Sequence, residues 1–102
     1  MPRIIDTQSL PELPSQITLN PGDVLVLQAS GGHVQTGDDV MEMLGAYLPG
    51  VLHAEGTVLT PMGAPSTVLF RAIQPGQATI DVVTGDPWFD STTKILTITV
   101  EA

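Results

Sequence analysis

Cysteine is absent from the 102-residue sequence. That excludes disulfides, thiolate metal sites and a cysteine nucleophile together. Basic residues are nearly absent: Arg3, Arg71 and Lys94 face eleven acids, for a formal net charge of −8. Phosphate binding needs clustered cations, so neither nucleic acid nor an anionic membrane surface is an expected partner. Aromatic side chains are few, and Trp88 is the only tryptophan. The longest unbroken apolar run, residues 24–27, is far too short to span a bilayer. The N-terminal stretch has no apolar core of a signal peptide, so a cytoplasmic location is the default expectation, unless a leader has been removed.

Hydrophobic residues make up 42% and charged residues 14%, a balance that argues for a folded core and against disorder. The length suits one small domain. Val, Ile, Leu and Thr dominate, and 10 Gly with 9 Pro supply turn residues, a composition that points to short strands joined by tight turns.

Along the chain, residues 1–15 carry Pro2, Pro11 and Pro14 and read as an extended N-terminal arm, with room for an edge strand near Arg3–Ile5. Residues 16–102 read as the folded domain. Asn20-Pro21-Gly22-Asp23 is a turn, because Pro fixes φ and Gly allows positive φ. Residues 24–27 are apolar on both faces and predict a central strand covered on both sides. The glycine-rich stretch 30–39 reads as a loop or an irregular short strand. Val40, Met43, Leu44, Tyr47 and Leu48 recur at helical spacing, with Asp39 and Glu42 placed as a capping box and Pro49-Gly50 as a stop. The spacing predicts a short helix over residues 39–48.

Two weak strands flank a turn at Glu55-Gly56. Three strong alternating strands follow. They place Val68, Phe70 and Ala72, then Ala78, Ile80 and Val82, then Leu96, Ile98 and Val100 on the inward face. The expectation is an all-β, immunoglobulin-like β-sandwich of about seven strands with one short helix inserted near 39–48.

One resemblance rests on particular residues. Gly63-Ala64 with Ser66-Thr67, then Phe70 and Ala72 two apart, then Pro75-Gly76, then Pro87-Trp88 resemble the second half of the chagasin-like inhibitors of papain-like cysteine proteases. The opening strands around Asn20-Pro21-Gly22-Asp23 also fit that family. The resemblance implies the sandwich fold, and as a function it implies insertion of end loops into a protease cleft. The family's inhibitory loop, Asn-Pro-Thr-Thr-Gly, is not matched: residues 31–39 stand in its place, sharing only Thr36-Gly37. Asp86 replaces the family's Arg before Pro-Trp, and Pro65 replaces a Gly.

The candidate chemistry is thin. His33 and His53 could join Asp38, Asp39 or Glu55 at a metal or catalytic site, but neither shows ligand spacing, and loop histidines on the surface account for them better. Asp86 and Asp90 could share a calcium ion, but turn formation accounts for them with fewer assumptions. Asp38, Asp39 and Glu42 read as helix-capping acids before they read as an acid–base pair. Ser30, Ser66 and Ser91 lack a nucleophile elbow. The apolar stripe from Val40 to Leu48, with Met41 beside it, reads as core. No cofactor or metal set is indicated.

Trp88 and Phe89 remain. Adjacent in a strand, they would point to opposite faces; in a loop, both could meet a partner. One reading has them close the end of the sandwich; the other makes them an interface. The sequence thus predicts a non-enzymatic, acidic protein-binding or assembly module, with a possible homodimer among its modes. Its contact residues would be Asp86, Pro87, Trp88 and Phe89, together with Met62, Gly63, Ala64 and Pro65. The alternative is a chagasin-type inhibitor of papain-like cysteine proteases.

Overall fold

The computed structural model describes residues 2–7, 14–48, 50–59, 63, 66–86 and 90–102, with the backbone alone for residues 85, 86, 90 and 91. The described residues form ten strands: β1 (Ile4–Asp6), β2 (Gln16–Leu19), β3 (Val24–Gln28), β4 (Gly31–Thr36), β5 (Met41–Tyr47), β6 (Val51–Leu52), β7 (Val58–Leu59), β8 (Thr67–Ala72), β9 (Gly76–Asp86) and β10 (Asp90–Val100). One four-stranded sheet has the order β1-β3-β8-β5, a second has the order β2-β10-β9-β4, and β6 and β7 form a two-stranded sheet.

In this order β3, β8 and β5 stand where an immunoglobulin-like sandwich has its B, E and D strands. Strands β4, β9 and β10 take the C, F and G places of the facing sheet. The first segment of the chain serves both sheets. Strand β1 runs parallel to β3 in one, and β2 runs parallel to β10 in the other. Parallel neighbours need a long connection, and residues 7–23, which include β2, supply it between β1 and β3.

The core lies between the sheets and follows the predicted alternation. Leu25 and Leu27 on β3 and Val68, Phe70 and Ala72 on β8 face Ala78, Ile80 and Val82 on β9 and Leu96, Ile98 and Val100 on β10; all are buried. Phe70 is fully enclosed and is among the largest of these side chains. The expectation of a doubly covered β3 needs correction. Val24 and Val26 are only half-buried, because a two-layer sandwich covers one face of each sheet and leaves the other to solvent.

The turn at residues 20–23 forms as its residues dictate. Gly22 takes φ 90°, and the Asp23 N–H donates to the Asn20 carbonyl at 3.0 Å. The fully buried Asp23 carboxylate then collects four donors. The Arg3 N–H at 3.1 Å and Nε at 3.2 Å reach Oδ1, while Arg3 Nη2 at 2.6 Å and the Asn20 N–H at 2.8 Å reach Oδ2. Arg3 thereby ties β1 to the start of β3. The guanidinium hydrogen bonds are the main cause that lowers the Asp23 pKa to about 2, against the opposing effect of burial.

The predicted helix over 39–48 is not formed; residues 41–47 are β5. The Val40 and Met41 N–H groups both donate to the Gly37 carbonyl, and the chain then enters the sheet opposite β8. Met41 pairs with Ala72, Met43 with Phe70 and Ala46 with Val68, so the inward positions are spaced by two and then by three. The extra residue is a bulge between Met43 and Gly45, where Gly45 takes φ 148°, a conformation suited to glycine. A bulged strand therefore imitated helical spacing. Met41 is fully buried, whereas Leu44 and Tyr47 are 40% and 46% exposed, so the stripe is not uniformly core. The Asp39–Glu42 capping box has no helix to cap: Asp39 accepts a hydrogen bond from Gln74 Nε2 at 3.3 Å, and Glu42 forms an ion pair with Arg71 across the strands.

Residues 31–36, within the stretch read as a loop or an irregular short strand, form strand β4, which carries a register irregularity between Val34 and Thr36, so the strand alternative holds. The pairing of Gly31 with Val83 and of His33 with Asp81 draws this glycine-rich segment into the second sheet.

Candidate functional site

Three chain connections leave from the same end of the sandwich. The first is the β3–β4 link, which consists of Ala29 and Ser30 alone. The Ala29 N–H donates to the Ser66 carbonyl at 3.1 Å. Ser30 donates to the Val83 carbonyl from its N–H at 2.8 Å and from its hydroxyl at 3.1 Å. The second connection runs from β5 to β8; at its close the Ser66 N–H donates to the Tyr47 carbonyl at 3.1 Å, and Tyr47 pairs with Thr67. The third joins β9 to β10. These bonds tie the ends of β3, β4, β5, β8 and β9 together across both sheets.

Two hairpins extend this end. The β9–β10 pair continues past Val83, where β4 stops, to Asp86 opposite Asp90. Pro87, Trp88 and Phe89 follow Asp86 in the chain and lie outside the described residues. The β5–β8 connection contains the β6–β7 hairpin, in which Val51 pairs with Leu59 and Leu52 with Val58. Its turn is closed by the His53 N–H to the Thr57 carbonyl at 2.7 Å and the Gly56 N–H to the His53 carbonyl at 2.9 Å, at the predicted Glu55-Gly56 position. His53 thus serves the turn, and its Nδ1 accepts a 3.4 Å contact from the Glu55 N–H. Of the neighbouring predicted contact residues, Met62, Ala64 and Pro65 lie outside the described residues. Gly63 is exposed at φ 125°, and among the described residues none stands within 4 Å of where its side chain would be.

The other candidates are dispersed. Asp38 and Asp39 lie in the turn before β5, at the opposite end of the sandwich from Ser30 and Ser66. His33 stands beside neither of them. Its Nδ1 lies 3.2 Å from Oδ2 of Asp81 on β9, a buried carboxylate whose Oδ1 has no hydrogen-bond partner among the described residues. Sequence reasoning missed this pair, because its only signal is the β4–β9 register. Among the described residues, no group of three or more His, Asp or Glu side chains is placed to hold a metal ion. The Ser30 hydroxyl is engaged by a backbone carbonyl, so among the described residues it is held as a structural donor and not beside a base. The arrangement offers backbone edges, turn residues and apolar side chains for contact.

The two-residue β3–β4 link also corrects the expected position of residues 31–39. They do not form a loop at this end. They run away from it as β4, and Thr36-Gly37 lies at the far end, where Thr36 pairs with Thr79.

No protein-family model matches the chain, and no curated protein matches it. Among solved structures, the chain is similar to the cysteine protease inhibitor EhICP2 from Entamoeba histolytica, at 12% identity over 98% of this chain and 96% of that one, with a TM-score of 0.48. It is also similar to amebosin, known from a solution structure, at 16% identity over 97% of each chain, with a TM-score of 0.45.

Proposed function

We propose that the protein acts by binding another protein through the end of the sandwich that gathers the β3–β4, β5–β8 and β9–β10 connections, with a papain-like cysteine protease as the partner class. The observation that carries this reading is the hydrogen bonding that ties together the strand ends from which these connections leave: Ala29 with Ser66, Ser30 with Val83 on β9, and Ser66 with Tyr47. Loops held on a rigid β scaffold are preorganised for binding, which lowers the entropy lost on association. The residues quoted for the chagasin-like resemblance, from Gly63 to Trp88, fall largely in and between these connections. Trp88 is the proposed anchor, since buried tryptophans dominate many interfaces.

The test is inhibition of a panel of papain-like proteases by the full chain, with Trp88→Ala as the variant. Submicromolar inhibition that the variant weakens by about tenfold or more would support the reading. A second reading is favoured by the Ala29–Ser30 link, which is too short to enter a cleft as the family's Asn-Pro-Thr-Thr-Gly loop does. On that reading the same end binds a protein other than a protease, and no protease of the panel is inhibited even at high protein concentration.

A further inference from the structure

Alternation along β9 turns Ala78, Ile80 and Val82 into the core and places Asp81 on the outer face of its sheet. A carboxylate is almost never fully buried unless it is paired. Asp81 is nevertheless only 6% exposed, and among the described residues its Oδ1 has no hydrogen-bond partner. Its Oδ2 lies 3.2 Å from Nδ1 of His33, whose side chain is 65% exposed on the edge strand β4. The nearest outward positions on β9 and β10 are Thr79, Val83 and Ile95, which bring no charge to the pair. A buried carboxylate calls for a donor or a cation at both oxygens, and the imidazole reaches only one.

We propose that His33 and Asp81 form a binding site for one divalent transition-metal ion of the zinc class, held by the imidazole Nδ1 and the Asp81 carboxylate, with water in the remaining positions. Three observations carry this. The first is the donor set. An imidazole beside a carboxylate suits zinc, copper or nickel, whereas calcium and magnesium take oxygen ligands. The second is the spacing. Two ligand atoms bound tetrahedrally to zinc at about 2.0–2.1 Å stand about 3.3 Å apart, and Nδ1 and Oδ2 are already 3.2 Å apart. The pairing of His33 with Asp81 across β4 and β9 fixes that separation, so the ion enters with little rearrangement. The third is the unmatched Oδ1: a cation on the carboxylate offsets the buried charge that one imidazole contact leaves unsatisfied. Structural zinc sites use four protein ligands. A site with two is weaker, and its ion exchanges with solvent.

An NMR titration of the full chain with Zn²⁺ tests this. His33 and His53 are the only histidines, so His53 serves as the internal reference. The His33 ring signals should shift and saturate with one ion bound, while those of His53 stay in place. Zn²⁺ should also raise Tm, and EDTA should reverse the rise. His33→Gln and Asp81→Asn should each raise the dissociation constant by at least about tenfold, and His53→Gln should leave it unchanged. The metal-induced rise in Tm is read within each variant, so a less stable Asp81→Asn does not imitate lost binding. The exposed position of His33 makes His33→Gln the variant that keeps the fold. The proposal is overturned by the absence of a saturable shift at millimolar Zn²⁺, by binding that His33→Gln leaves intact, by shifts at His53 instead, or by an equal response to Ca²⁺ or Mg²⁺. Protease inhibition is read separately with EDTA present, so failure of either proposal leaves the other standing.

Discussion

Asp23 shows how one residue organises several elements. Its carboxylate closes its own turn through the Asn20 N–H and anchors β1 through Arg3, twenty positions away in the chain. The ionised form is favoured in the fold, because the folded pKa of about 2 lies below the unfolded carboxylate value of about 3.9. The stabilisation is therefore complete above that unfolded value and is lost as pH falls through the folded one. Asp23→Asn should be less stable than the parent at neutral pH, and the gap should narrow between about pH 4 and pH 2. Urea unfolding midpoints of the two proteins across that range check this, and a gap independent of pH would contradict it. Neither partner signals the other in the sequence; only the fold brings Arg3 to Asp23.

Among the elements, β5 separates local pattern from tertiary demand. A helix over 39–48 would turn Leu44 inward as part of its stripe. The strand instead buries Met41 completely and leaves Leu44 40% exposed. Met41→Ala should then cost about 2–5 kcal/mol in equilibrium unfolding, whereas Leu44→Ala should stay within about 0.5 kcal/mol of the parent. The reverse order would restore the helix. The strands β8, β9 and β10 were legible because their period of two is unbroken and rich in β-branched residues. In β5 the Gly45 bulge broke that period, and in β4 the glycines carried no apolar pattern at all. The turns at 20–23 and 54–56 were legible because Pro and Gly restrict or release φ locally.

For the molecule as a whole, the dominant fact is charge. Eleven acids oppose three strong bases, of which Arg3 is engaged by Asp23 and Arg71 by Glu42. Self-repulsion across the surface should outweigh these two pairs, so raising salt from low to physiological levels should lift Tm by a few degrees. A fall in Tm would mean that the ion pairs outweigh the repulsion. The sequence alone determined the all-β class, the inward faces of the late strands and the acidic surface, because composition and alternation are local properties. The tertiary structure alone decided that residues 41–47 are a strand, that His33 meets Asp81 and that the β3–β4 link has two residues. It also decided which connections share one end. Each of these depends on strand register and sheet partner, which are set by packing between segments far apart in the chain.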